Sequence, residues 1–232
     1  MGHMDITPLE IELVRQKPGS DDCLRACALM IFNHYGDSIT KEEVWKKLHV
    51  YKKHSGLKGG YIQDLGYLVQ KMGYKSSIKH YDWSWWNENI QIALKKGKKS
   101  TKKALTALKT EKEHWAEKKM IKKEINYLKK KGAFDFSIPK LIDIDAFLMR
   151  KIPVIVLVNA EFYYHQPKID INQFILLVGK KDGKYITKDP LYATEKIEEN
   201  ELHYSWGKAG GWMIAIKPKT KPHQMKQSQL RF

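Results

Sequence analysis

Hydrophobic positions along this chain follow two periods, one near 3.6 residues and one of two, and they separate helices from strands. Residues 5–16 carry a short alternating stretch and predict an edge strand. Residues 17–22, with Pro18 and Gly19, predict a loop. From Cys23 the chain is apolar through Ala26, Cys27, Leu29, Met30 and Phe32, and it breaks at Gly36. This pattern predicts a central, buried helix with Ser20, Asp21 or Asp22 as its cap. Thr40 stands three residues before Glu43, the spacing of a capping box, and Val44, Trp45 and Leu48 give the following helix its apolar face. Gly59 and Gly60 open a further helix with Ile62, Leu65, Leu68 and Val69 at helical spacing, ending at Gly73. Residues 74–81 alternate as a strand.

The second half is strand-rich. After a short helix at 141–148, strands are predicted at 153–159, 174–178, 185–188 and 211–216. Asp182 and Gly183 form the two-residue turn favoured in tight hairpins. Helices first and an antiparallel sheet afterwards make an α+β layout.

Between these halves the texture changes. Residues 95–131 hold 15 lysines, no arginine and four glutamates, a surplus of 11 charges out of +16 for the whole chain. Leu105, Leu108, Trp115, Ile121, Ile125 and Leu128 form a thin apolar stripe, which predicts one or two lysine-rich helices ending at Gly132. The stripe needs a surface to pack against, so the segment reads as an insertion or lid, with Leu108, Trp115, Ile121, Ile125 and Leu128 turned inward. Its charge suggests an acidic protein or nucleic acid as partner. The alternative is a solvated face. Tyr81, Trp83, Trp85 and Trp86 stand just before it. They read first as rings that anchor the insertion and second as a stacking surface for single-stranded nucleic acid.

Composition narrows the function classes. With 232 residues, 42% hydrophobic and 11% aromatic, the chain can bury a core. No apolar run approaches the ~20 residues of a membrane span, so no integral membrane association is expected. Two cysteines exclude a disulfide framework and a cysteine-rich metal site. No Walker loop, dinucleotide fingerprint or zincin motif is present, so no cofactor or metal is expected. Residues 1–4 read as an expression scar and residues 217–232 as a polar tail. With no apolar signal segment after Met4, a cytoplasmic setting is expected.

The thiols carry the candidate chemistry. Cys23 stands where a loop meets a helix, and partial positive charge at a helix N-terminus favours a thiolate. Cys27 is one turn later on a buried face, where a thiol usually packs inertly.

Gln16, then residues 22–30 around Cys23 and Cys27, then His34, Tyr35 and Gly36, resemble the nucleophile region of C39-like papain-fold peptidases. The helix from Gly60 to Gly73 followed by Tyr74, the strand 151–158, and the hairpin from Phe174 through Gly179 to Asp189 and Pro190 are similar to later parts of that family. The resemblance covers residues 10–90 and 140–216. It implies one papain-like α+β domain over residues 5–216, with 95–131 inserted in it. It also implies Cys23 as nucleophile, Gln16 as oxyanion-hole donor and Asp189 as the group that orients an imidazole. The chemistry would be amide hydrolysis or acyl transfer on a peptide or protein.

Two positions depart from the family pattern. Leu24 replaces the glycine expected after the nucleophile and should crowd the site. Gln173, with Asn172 beside it, stands where the catalytic histidine is expected, and an amide cannot shuttle a proton near neutral pH. His165, in the loop before that strand, is the candidate substitute base. His34 is three turns along the helix and too far. His203 has no supporting motif, and His54 and His80 read as surface residues.

Three readings follow. An active thiol enzyme predicts that Cys23 is alkylated faster than Cys27. A catalytically silent relative keeps the cleft to bind a peptide or protein segment, and a third reading gives the lysine helices a nucleic acid.

Overall fold

The computed structural model describes residues 4–52, 58–81, 88–166 and 171–219. The chain opens with helices α1 (Cys23–His34) and α2 (Lys41–Lys47), a small hairpin of β1 (Tyr51–Lys52) and β2 (Lys58–Gly59), and α3 (Ile62–Lys71). Strand β3 (Lys75–His80) leads to α4 (Glu88–Lys95), α5 (Lys98–Glu111) and α6 (Trp115–Lys129), and then to β4 (Ala133–Phe136). The second half is α7 (Leu141–Leu148), β5 (Val154–Asn159), α8 (Ala160–Tyr163), β6 (Asn172–Lys181), β7 (Lys184–Lys188), β8 (Lys196–Glu198), α9 (Glu199–Lys208) and β9 (Met213–Lys217).

The main sheet has the order β4-β3-β9-β5-β6-β7-β8. Its pairs are antiparallel except β3 with β4, which run parallel. Alternation along β5 and β6 sends Ile155, Leu157, Phe174 and Leu176 to one face and Val154, Val156, Ile175 and Leu177 to the other. The first face is covered by α1 and α3, the second by α7 and α9. Both faces are buried, which is why the central strands are continuous apolar runs. The expected α+β class holds. No helix of the described residues is long and apolar enough to cross a membrane.

Local signals match the structure where the physics is local. Thr40 and Glu43 form the reciprocal capping box, at 2.9 and 3.2 Å. Asp182 and Gly183 take positive φ of 52° and 74° in the two-residue turn between Lys181 and Lys184.

The edge strand expected at 5–16 is absent. Ile6 forms an isolated bridge with Lys180 of β6, and the Leu9 N–H donates to the Val178 carbonyl at 2.8 Å, without a continuous ladder. Pro8 cannot donate to a ladder, and the chain there crosses close over Gly179, where β6 shifts register against β7. A Cβ on Gly179 would meet Pro8 Cα at 2.5 Å. The expected surface position of His80 is also corrected. Alternation along β3 turns Ser76, Ile78 and His80 inward, and the imidazole stacks on Trp212 with centroids 3.6 Å apart. Burial holds its pKa well below the usual value.

The lysine-rich segment forms α5 and α6, with Leu105, Leu108, Ile121 and Leu128 in the core shared with α1 and α3. Ile125 is half-buried. Trp115, expected inward, is 51% exposed at the first residue of α6. The inward positions of α6 are Ile121, Glu124, Tyr127 and Leu128. Trp83, Trp85, Trp86 and His54 lie outside the described residues.

Candidate active-site cleft

Helix α1 begins at Cys23, and its start is fixed by Arg25 of its own first turn and by Trp45 of α2. Asp22 makes no side-chain cap bond; its carboxylate instead accepts from Arg25 Nη1 at 2.7 Å and from Trp45 Nε1 at 3.0 Å. Arg25 also donates to the carbonyls of Leu48 and Trp45. The loop before Cys23 is therefore tied to α2. Cys23 is buried. One turn on, Cys27 is fully buried with Sγ 3.6 Å from the Phe174 carbonyl. Burial pushes the Cys27 thiol well up, and the charges of Cys23 and Asp189 push it further. Cys27 is the inert thiol of the two on this geometry.

Leu24 does not crowd the cleft, contrary to expectation. Its side chain turns into the core and fills the space beside Gly60, where a Cβ would stand 2.8 Å from Leu24 Cδ2. The missing side chain at 60 accommodates the added one at 24.

Gln16 lies in the irregular segment before α1. Its backbone N–H donates to the Pro190 carbonyl at 3.0 Å, and its Nε2 donates to the Ser20 carbonyl at 3.0 Å. Its Oε1 accepts from Gln173 Nε2 at 3.1 Å. Gln173 is buried at the start of β6, beside Phe174. The two amides meet side chain to side chain across 157 positions of sequence.

Asp189 follows β7 and is fully buried. Its Oδ1 accepts from the Leu191 N–H at 2.9 Å and from the Tyr164 hydroxyl at 3.2 Å. Tyr164, just after α8, is half-buried between the rings of Tyr163 and Tyr192. Burial first, then the charge of Asp189, raise its phenol far above the ordinary range; Tyr163 and Cys23 add to the rise. Tyr164 thus stands against Asp189. Sequence reasoning passes over it, because its only signal is a tyrosine pair next to the histidine that draws attention.

His165 turns away from this cluster. It is exposed, with φ 52°, and its Nε2 lies 3.6 Å from Glu201 Oε1 on α9. His34 ends α1, and His203 is exposed on α9. The structure therefore brings Gln16, Gln173, Asp189 and the Cys23 end of α1 together and gives His165 a different partner. The group it adds is Tyr164.

No family model matches the sequence, and no curated protein matches it. Among solved structures the chain is similar to a protein from Bacillus anthracis described as a C39-like peptidase, at 12% identity and a TM-score of 0.56, over 94% of this chain and 100% of that one. The chain has the C39-like peptidase fold. Two further structures resemble it at lower scores. One is a double glycine motif protease from an AMS/PCAT transporter, solved with its leader peptide, at 16% identity and a TM-score of 0.48, over 93% of this chain and 99% of that one. The other is the peptidase domain of Streptococcus ComA, a bi-functional ABC transporter, at 14% identity and a TM-score of 0.48, over 89% and 97%. In this fold the candidate cleft lies where α1 meets the start of β6 and the hairpin exit at Asp189.

Proposed function

We propose that this chain is a catalytically silent C39-like module that holds a peptide or protein segment in its cleft. The observation that carries the reading is the Gln173–Gln16 amide pair. Thiol acyl transfer needs a group that takes the thiol proton and returns it to the leaving amine. Gln173 can do neither. It also engages the carboxamide oxygen of Gln16, while Gln16 Nε2 is already donating to Ser20. The orienting carboxylate is bound by a phenol that stays protonated at neutral pH.

The presence of Gln16 and Asp189 needs no catalysis to explain it. Each has bonds that fix local structure: Gln16 to Ser20, Pro190 and Gln173, and Asp189 to Tyr164 and Leu191. A separate pocket of about 560 Å³, lined by Tyr81, Ile138, Asn172 and Lys208, includes none of Gln16, Cys23, Gln173 or Asp189. In this reading residues 5–216 act as one domain, with 95–131 as an insertion.

Selection of peptides from a random library on the immobilised protein tests the proposal. The expected result is a set of peptides that bind wild type and Cys23→Ser with equal affinity and are recovered uncut. Cleavage of a selected peptide that disappears in Cys23→Ser would instead establish the active thiol enzyme.

A further inference from the structure

The structure divides the lysines of the basic segment into two groups. One group is spent on the body of the protein. Lys123 Nζ pairs with Asp64 of α3 at 2.6 Å and with the Tyr51 hydroxyl at 3.1 Å. Lys119 Nζ lies 3.8 Å from the Tyr51 ring centroid, and Lys112 pairs with Glu117 at 3.1 Å. The Lys123 and Lys119 contacts hold α6 against α3 and the β1–β2 hairpin, and the Lys112–Glu117 pair ties the end of α5 to α6.

The second group gathers at one pole. Lys75 opposes Lys217 in the β3–β9 register. The parallel β3–β4 ladder begins with Ser77 against Ala133, and the turn that leads into β4 carries Lys131 at φ 68°. Lys75 and Lys217 thus stand side by side on adjacent strands, spaced by roughly 5 Å, and the turn at Lys131 lies towards the same end of β3. Lys98 Nζ donates to the Lys131 carbonyl at 2.9 Å, which brings the start of α5 to the same place. Exposed Lys95, Lys96 and Lys99 surround that turn, and exposed Lys129 and Lys130 end α6. The segments 71–75, 95–103, 129–133 and 215–217 contain no acidic residue, and Asp37, which accepts from the Tyr74 hydroxyl, is paired with Lys219. Like charges set side by side cost stability, and α5 has lysines and no acid in its first turn, at the positive end of the helix dipole.

We infer that this pole binds the phosphate backbone of double-stranded nucleic acid without reading sequence. The surface is charge alone. It carries lysines as point charges and no arginine fork for bidentate base readout. None of the large exposed apolar side chains of the described residues falls within these segments, so an apolar wedge for a lipid surface is not provided. A cluster of lysines free of arginine and apolar side chains fits a row of phosphates, and counterion release supplies the free energy.

Fluorescence anisotropy of a labelled 20-bp duplex with the full chain, across a salt series, tests this. The binding constant should fall with salt at about 0.9 log units per phosphate neutralised. Lys75→Gln/Lys99→Gln should reduce that slope by roughly 2 and weaken binding at low salt by about tenfold. Lys46→Gln/Lys181→Gln removes the same net charge elsewhere and should change affinity less than about twofold. Circular dichroism confirms that each variant is folded. Equal losses in both pairs would make the effect one of net charge and overturn the site. So would a slope near zero, or polyglutamate or phosphatidylserine vesicles competing as well as unlabelled duplex at equal charge.

Discussion

Gln173 Nε2 donates to Gln16 Oε1 across 3.1 Å, and in the proposed reading this bond joins the position expected for a base to the one expected for an oxyanion donor. It makes the cleft a closed amide pair. Replacing Gln173 with His breaks the pair and introduces a group that titrates near pH 6.5. Iodoacetamide labelling of Cys23 at pH 6–7 should then rise roughly tenfold, as an imidazolium stabilises the thiolate. Cys27 should stay unlabelled in both proteins, since its thiol is fully buried and pushed up. Peptide mapping separates the two sites. An unchanged Cys23 rate would show that Gln173 does not occupy the base position.

Tyr164 is the second obstacle to a working pair, because its hydroxyl holds Asp189 Oδ1. Tyr164→Phe leaves that buried carboxylate with the Leu191 N–H on the same oxygen. Losing a hydrogen bond to a buried charged group should lower unfolding free energy by about 1–3 kcal/mol, read by urea titration. In the Gln173→His background the same change releases Asp189 to orient the new imidazole. Labelling of Cys23 in the double variant should therefore exceed the product of the two single effects. Additive effects would separate Asp189 from the imidazole.

Leu24 and Gly60 form a size-compensated pair. An alanine at 60 would put its Cβ 2.8 Å from Leu24 Cδ2 and 3.3 Å from Leu24 Cβ. Gly60→Ala should destabilise by about 1–3 kcal/mol through overpacking. Leu24→Ala alone should cost about 2–5 kcal/mol as a cavity. The double variant should cost less than the sum, with the surplus in the denaturation cycle reporting the contact. Strict additivity would mean that the two side chains relax independently.

The sequence makes local features legible and leaves long-range ones hidden. The capping box at Thr40, the Asp182–Gly183 turn and the bounds of α7 depend on residues a few positions apart, and all three stand as expected. The absent strand at 5–16 depends on how Pro8 meets Gly179, which no local pattern encodes. The cleft is half legible. Resemblance points to Gln16, Gln173 and Asp189, but the bond between the two glutamines and the phenol on Asp189 exist only after β6 and α8 are placed. Periodicity, followed strictly, turns His80 and Glu124 inward. His80 alternates with Ser76 and Ile78, and Glu124 lies three residues after Ile121 and four before Leu128. Their polarity argues for the surface, and packing prevails.

Glu124 bears the cost of that outcome, and its titration is measurable. The side chain is fully buried between α6 and α3, and neither carboxylate oxygen meets a hydrogen-bond donor among the described residues. Gln63 of α3 is the neighbour that favours the ionised form, but its Nε2 lies outside bonding geometry. Asp64 and Lys123 nearby neutralise each other, and the Tyr127 hydroxyl is bound to Ser76. Burial therefore raises the Glu124 carboxyl from 4.5 to about 8. A folded pKa above the unfolded one means that the folded state holds the proton more tightly. The resulting stability is complete below pH 4.5 and is lost as pH rises through about 8. Every tenfold difference in proton affinity between the folded and unfolded chain is worth ~1.4 kcal/mol, so the loss amounts to several kcal/mol. His80 acts in the opposite sense, since its lowered pKa withdraws stability as pH falls below 6.5. Comparing wild type with Glu124→Gln at each pH cancels that contribution. The glutamine variant, an isostere of the protonated acid, should match wild type near pH 5 and exceed it by several kcal/mol at pH 9 in urea denaturation. Parallel stability curves would mean that Glu124 gains a charge partner or water in solution and does not strain the α3–α6 packing.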